Sequence, residues 1–206
     1  MPIRPEGGDM TDYVTFPNFY LAVGMKSDDT SRDPLIGAAI TAASKLIDNE
    51  TGRTFELAAS ATQRIYVPDP CDDTLIVDDI GTLTGLVVET GAFGEDTWTT
   101  LTNSVDFEVS PLNALATGRP VTSLTRPAGW GATPLARVRV TAKWGWPATP
   151  DEVVQAALIQ AIRLFKRKDS PEGVLGSTDF GFTRVSKMDP DVMSLISHLV
   201  LPGFGG

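Results

Sequence analysis

The sequence predicts an α+β fold: a small helical bundle, a large antiparallel β-rich insertion within it, and an extended C-terminal arm that ends in a helix. Three observations carry this expectation. Apolar residues recur at helical spacing near both ends of the 206-residue chain. Between them, short β-branched and aromatic runs alternate with Gly/Pro clusters. After the last long helical stretch, Pro171, Gly173, Gly176 and Gly181 interrupt any regular period. The expected parts are residues 1–60 with 147–168 for the bundle, 61–146 for the insertion, and 169–206 for the arm and its helix.

Each element has a local cause. From Thr15 to Val23, the residues Phe16, Phe19, Tyr20 and Val23 fall at the i, i+3, i+4, i+7 spacing of a short amphipathic helix, which Gly24 stops. A second helix is expected over Asp33–Thr51, with Asp33 as N-cap and Pro34 in the first turn. Its stripe is Ile36, Ala39, Ile40, Ala43 and Ile47, flanked by Leu35, Ala42 and Leu46, and Gly52 is placed as a left-handed C-cap. The Ala-rich face suits close packing on another helix. The third helix, Pro150–Lys168, opens on the capping-box pair Thr149 and Glu152. Val154, Leu158, Ala161 and Phe165 line one face, widened by Val153, Ala157, Ile162 and Leu164.

Seven β-prone runs fill the middle: Gln63–Val67, Thr74–Val77, Leu83–Glu89, Thr97–Leu101, Phe107–Ser110, Val121–Thr125 and Ala136–Trp144. The last alternates almost strictly, with Val138, Val140, Ala142 and Trp144 on one face and Arg137, Arg139, Thr141 and Lys143 on the other. That pattern predicts a strand with one dry and one wet face. Near the end, Asp189-Pro190 repeats the cap-plus-proline device ahead of a stripe of Val192, Leu195, Ile196 and Leu199, broadened by Met193 and Val200.

Composition narrows the function. Hydrophobic residues at 42% and charged residues at 21% suit a folded protein rather than a disordered one. The net charge of −9 is diffuse: residues 1–60 carry 5 basic and 9 acidic groups, residues 61–150 carry 6 and 10, and residues 151–206 carry 6 and 7. Such a surface disfavours gripping nucleic acid, which needs clustered cations, and does not exclude a channel wall that DNA slides past. Cys71 is the single cysteine, so no intramolecular disulfide forms. No apolar run approaches the roughly 20 residues that span a bilayer, and the polar start lacks the apolar core of a signal peptide.

Catalytic signals are sparse. Neither a GxxxxGK[ST] loop nor a GxGxxG after a strand is present. His198, the single histidine, reads as a solvent-facing helix-end residue, and Cys71 as a turn residue between Pro70 and Asp72. Asp69, Asp72, Asp73, Asp78 and Asp79 lack the Gly and terminal Glu of a calcium loop and read as solvated acids. No metal and no cofactor is expected. The cations Arg163, Lys166, Arg167 and Lys168 gather at a helix C-terminus, where they complement its negative end; a subunit or partner contact is the alternative use.

The chain end, Leu199-Val200-Leu201-Pro202-Gly203-Phe204, is apolar where termini are usually polar. At about 25 cal/mol per Å2, burying several such side chains contributes several kcal/mol. With a Gly-rich arm before it, this segment is expected to dock on another chain; packing of its helix on its own domain is the alternative.

Four stretches carry a resemblance. They are Tyr13-Val14-Thr15 leading into Phe19-Tyr20-Leu21; Ala42-Ala43-Ser44-Lys45-Leu46-Ile47-Asp48 followed by Thr51-Gly52-Arg53-Thr54-Phe55; Val140 to Pro147 running into Pro150 and Gln155-Ala156-Ala157; and Arg167 to Gly173 with Phe180-Gly181, Arg184-Val185-Ser186 and Asp189-Pro190-Asp191-Val192. In this order they resemble the head–tail connector, or adaptor, proteins of long-tailed bacteriophages; residues from Asp69 to Pro134 match little. The resemblance implies an adaptor-type helical bundle and a homo-oligomeric ring, commonly of twelve copies, below the portal protein. The ring extends the DNA channel towards a stopper or tail-terminator protein, and double-stranded DNA passes without sequence-specific binding. The implied location is the virion neck, after assembly in the host cytoplasm. No enzymatic role and no membrane contact are implied. The implied portal-docking residues are Phe180, Phe182, Arg184, Val192, Met193, Leu195, Ile196, Leu199, Val200 and Phe204. The alternatives are another neck component, a stopper or tail-completion protein, or a carbohydrate-binding or hydrolase module using Trp98, Trp130, Trp144 and Trp146.

Overall fold

Helices occupy the two ends of the described chain and strands occupy its middle, so the fold is α+β. The computed structural model describes residues 12–26, 30–167 and 188–201. The chain divides into two compact units, residues 1–53 with 149–206, and residues 54–148.

The first unit is helical. Helix α1, Phe16–Val23, ends on Gly24 in the left-handed conformation and buries Phe19 and Tyr20. Helix α2, Asp33–Thr51, buries the expected Ile36, Ala39, Ile40, Ala43 and Ile47, and closes on left-handed Gly52. Its start differs from the expectation. A short 3-10 turn, Thr30–Arg32, runs straight into it, so Arg32 occupies the cap and Asp33 lies inside the first turn. The Asp33 carboxylate instead accepts the Tyr20 hydroxyl and ties α1 to α2. Leu35 and Ala42, which flank the stripe, are exposed.

Helix α3, Asp151–Arg167, packs chiefly on α2. Small residues at the core positions of both helices, Ala39 and Ala43 on one and Ala156, Ala157 and Ala161 on the other, let the two backbones approach closely. Phe19 meets the Phe165 ring edge-on, 5.5 Å between centroids, which adds α1 to the pair. The buried face of α3 is turned by about one residue from the expected stripe: Val153, Ala156, Ala157, Gln160 and Ala161 are inside, while Val154 and Leu158 are half-buried. Before α1, the Tyr13 amide donates to Ser44 Oγ and its hydroxyl to Asp48, strapping that segment to α2. Burial pushes the Asp48 carboxyl above its usual range, and the Tyr13 hydrogen bond partly offsets this.

The second unit is a six-stranded antiparallel sheet: β1 (Thr62–Tyr66), β2 (Thr74–Ala92), β3 (Thr99–Leu101), β4 (Glu108–Ser110), β5 (Val121–Thr125) and β6 (Ala136–Trp144). The order is β1-β6-β2-β5-β4, with β3 paired to β2. Two expected strands, Thr74–Val77 and Leu83–Glu89, are one. The acidic pair Asp78-Asp79 and the glycines after it are not a turn but irregularities within β2, with register shifts at Ile76/Ile80 and again before Val87. Leu75 and Val77 are buried at alternate positions, Asp79, Ile80 and Gly81 are buried in succession across the irregularity, and Val88 is buried beyond it. Between Ile76 and Ile80 the strand advances four residues against two on β5, and Leu75, Val77, Ile80 and Val88 all reach one core.

Strand β6 alternates as its sequence requires. Ala136, Val138, Val140, Ala142 and Trp144 are buried, and the four residues between them are half-exposed. Val138, Val140, Ala142 and Trp144 join Leu75, Ile80, Leu124 and Trp130 in one core. On the other face Arg139 clamps Glu89 through two hydrogen bonds of 2.6 and 2.7 Å and lies 4.4 Å above the Trp98 ring. The guanidinium holds the Glu89 carboxyl below its usual range. A depressed carboxyl stabilises the fold above its unfolded-state titration and loses that contribution as pH falls through the folded value. Glu89→Gln is therefore expected to lower the urea midpoint modestly at neutral pH and by less at about pH 3, below the ordinary carboxylate range. An equal loss at both pH values would show that packing, not charge, is what the side chain supplies.

Candidate functional site

The expected docking element is described in part. Phe180, Phe182, Arg184 and Phe204, together with Lys168 of the basic cluster, lie outside the described residues. The remainder forms a well-defined seat in the helical unit. Helix α4 spans Pro190–Ile196, continued by a 3-10 turn, Ser197–Leu199. Asp189 caps it as its sequence predicts, its carboxylate accepting the Asp191 amide at 3.0 Å.

That helix packs on α3. Val192 and Ile196 are fully buried and Leu199 nearly so, while Met193, Leu195 and Val200 are half-buried. The sequence assigns this stripe to docking on another chain, with packing on its own domain as the alternative. Its central residues are satisfied inside the protomer's own helical unit. The physical reason is that α3 presents more apolar width than α2 covers, and α4 supplies a matching face.

Polar contacts fix the seat at both ends. At the start, Arg163 of α3 pairs with the Asp189 carboxylate at 3.2 Å, and the Asp189 amide points to Gln160 Oε1 at 3.4 Å. At the far end, Arg53 Nε donates to the Leu199 carbonyl at 2.6 Å, and the Leu201 amide donates to the Thr51 carbonyl at 2.9 Å. Arg53 reaches this carbonyl because Gly52 turns the chain just after α2. Gln160 is wholly buried, and its amide nitrogen has no hydrogen-bond partner among the described residues.

The basic cluster therefore divides. Arg163 belongs to the α4 seat, whereas Lys166 and Arg167 stand exposed in the last turn of α3, beside its negative end. Sequence reading missed Gln160, Arg53 and the Arg163–Asp189 pair. The Asp-Pro cap was the one visible signal, and the partners 26 and 146 residues away from Asp189 and Leu199 had none.

A second surface lies on the sheet unit. Strand β1 is an edge strand, and register places Ile65 opposite Arg139 and Gln63 opposite Thr141, hence on the same outward face. Val87 and Glu89 of β2 join that face across the same pairs. Ile65 and Phe93 are 56% and 68% exposed, and Arg137 lies 5.3 Å from the Phe93 ring centroid. An open edge beside exposed apolar side chains is the kind of sheet margin that natural folds leave for pairing or cover by assembly.

The residues considered for chemistry are dispersed. His198 lies 3.6 Å from Glu152 on the surface of the helical unit, and Cys71 is exposed in the sheet unit. Asp78 pairs with Arg64 at 2.6 Å and accepts the Tyr66 hydroxyl at 2.7 Å; burial, together with that hydrogen bond, pushes the phenol well above its usual range. Asp79 is buried and accepts the Trp146 indole N–H at 3.0 Å. Asp69 and Asp72 cap local turns by accepting the Cys71 and Thr74 amides. No group of three or more His, Cys, Asp or Glu suited to a metal occurs among the described residues. No helix among them is long and apolar enough to cross a membrane.

Three of the four tryptophans are core residues with their indole N–H groups occupied: Trp130 on the Asp73 carbonyl, Trp144 on the Thr62 carbonyl and Trp146 on Asp79. Trp98 lies under Arg139. None presents an open ring as a sugar platform would, which counts against the carbohydrate-binding alternative.

No family model matches the chain, and no curated protein matches it. Among solved structures, the fold is similar to that of a chain in the neck of an empty GTA particle computed with C6 symmetry. The TM-score is 0.53 at 15% identity, over 92% of this chain and 91% of that one. Chains from the virion of a native gene transfer agent (GTA) particle and from the neck of a native GTA particle computed with C12 symmetry also align. Their TM-scores are 0.49 and 0.44, their identities 18% and 19%, and their coverage 89% and 85% of this chain and 86% and 88% of theirs. At these identities the likeness is one of fold.

Proposed function

We propose that this protein is a structural, non-catalytic neck component of a phage-like particle, and within that class a head-to-tail adaptor. It would form a ring below the portal that extends the DNA channel to the stopper. The observation that carries the reading is the fold likeness to a neck chain over nine-tenths of both proteins, a span that takes in both the helical and the β-rich parts. The four sequence stretches of adaptor type support it independently, as does the scatter of nucleophilic and acid–base groups just described. A diffuse charge of −9 suits a channel component that DNA must not adhere to.

In this reading the open outer face and edge of β1 serve contact between neighbouring copies or with the stopper. Portal docking falls to Phe180, Phe182, Arg184 and Phe204, with Met193, Leu195 and Val200 beside them. Val192, Ile196 and Leu199 are already engaged within the helical unit. A stopper is the second reading, favoured by the six-stranded sheet; the helices at both ends favour the adaptor. An electron-microscopy map of the intact neck is the test. The expected result is a ring of this chain next to the portal. A neck without it would overturn the proposal, and a ring separated from the portal by another protein would favour the stopper.

A further inference from the structure

The outer face of the sheet is not uniform in charge. Strand β2 serves two halves of it, pairing with β5 between Thr74 and Ile80 and with β6 between Ile80 and Ala92. In each half the outward residues are those that alternate with the buried ones.

On the β6 half, Arg137, Arg139 and Lys143 point outward from β6, and Glu89 joins them from β2. Glu89 is taken up by Arg139. Arg137 donates only to the Pro134 and Ala136 carbonyls, and neither it nor Lys143 pairs with a carboxylate among the described residues. Exposed Ile65 and Phe93 stand beside them. Glu95 and Asp96 lie past the strand end, in the connection to β3.

On the β5 half the sign reverses. Ile76, between buried Leu75 and Val77, faces outward and is 78% exposed. Thr74 stands opposite Thr125, and Thr125 opposite Glu108 of β4. Asp72 and Asp73 are held beside Thr74, the first accepting its amide at 2.8 Å and the second its hydroxyl at 3.1 Å. These three acids are exposed, and none pairs with a cation among the described residues. Arg126, just after β5, is half-buried and donates to the Gly129 carbonyl at 2.8 Å.

One sheet therefore displays two exposed apolar centres with flanking charge of opposite sign. Copies at −9 each repel unless unlike charges meet where they touch. A ring further requires that one face of each copy meet a different face of the next. Setting the β6 half of one copy on the β5 half of another satisfies both conditions. Two β6 halves, or two β5 halves, would oppose like charges.

We propose that the outer sheet face is a head-to-tail interface between copies of this chain, the cationic β6 half of one copy seated on the acidic β5 half of the next. The proposal rests on the ring reading above and adds which faces meet. Arg137 and Lys143 against Asp72, Asp73 and Glu108 set the orientation, and Ile65, Phe93 and Ile76 supply apolar area between them.

Charge reversal in full-length chains tests the pairing, read by sedimentation velocity over a concentration series at about 0.15 M salt, where only close charges still attract. Arg137→Glu with Lys143→Glu is expected to weaken self-association by roughly tenfold or more, and so is Asp73→Lys with Glu108→Lys. The second pair lowers the net negative charge, so general repulsion alone predicts the opposite effect. An equimolar mixture of the two variants is expected to recover association, because each reversed face then meets an unlike one. Where a double variant fails to fold, the single reversals Lys143→Glu and Glu108→Lys repeat the comparison. A wild-type chain that stays monomeric across the series would overturn the proposal. So would tighter association of the acid-reversed variant, or a mixture no better than its components. If reversal and mixing fail while a neck map still shows a ring of this chain, the faces are wrong and the neck reading stands. Recovery on mixing by a chain that is missing from the neck keeps the faces and removes the neck reading.

Discussion

Gly145→Ala is expected to cost more than about 4 kcal/mol and to leave little folded protein at ambient temperature. Gly145 follows β6, has φ +106°, and donates its amide to the Asp79 carbonyl at 2.8 Å. A Cβ there would lie 1.8 Å from the Glu56 carbonyl oxygen. Both partners are backbone, so neither can rotate aside. The neighbouring packing is equally tight: Phe55 and Trp146 are 5.2 Å apart, and the Ala58 amide donates to the Trp144 carbonyl at 2.8 Å. Gly85→Ala is the control. It shares a positive φ, +82°, but its Cβ would meet nothing within 4 Å, so only backbone strain of about 1–2 kcal/mol is expected. Urea titration of both variants measures the contrast. Similar small losses at the two positions would show that the chain between Glu56 and Gly145 yields easily.

Ile196→Ala is expected to destabilise the isolated chain by about 2–4 kcal/mol, the range for truncating a fully buried branched side chain. The residue decides between two accounts of the C-terminal helix. If α4 waits for another protein, the isolated chain is indifferent to the change. If α4 completes the helical unit, denaturant unfolding shifts with it. The burial of Val192 and Ile196 and the polar contacts at both ends of the seat require the second outcome. Leu195→Ala, at a half-buried position of the same helix, is the milder companion.

The helices were legible because their signals are local. Pro34, Gly24, Gly52 and Asp189-Pro190 mark ends by chain geometry alone, and the stripe Ile36 to Ile47 names its buried face by period. Strand β6 was legible for the same reason, its alternation matching the two-residue pleat. Strand β2 was misread as two. Asp78-Asp79 and Gly81 look like punctuation, yet Asp79 is buried on Trp146 and Gly81 is required by closeness to Leu57 and the Gly145 carbonyl. Bulges share composition with turns, and only the partner strands distinguish them.

The seat of α4 was half legible. An apolar stripe announces that a helix will be buried, and it is silent on what buries it. That answer depended on Arg163, Gln160 and Arg53, polar residues whose roles arise when segments far apart in the chain come together.

By itself, then, the sequence determined which segments coil, which pleat and which faces turn from water, since these follow from hydrophobic period and backbone-restricting residues within a few positions of one another. The tertiary structure decided that β2 is continuous, that Gly145 admits no side chain and that α4 completes its own helical unit. Each of these is a matter of distance between residues remote in the chain, and such distances are set by packing rather than by neighbours in sequence.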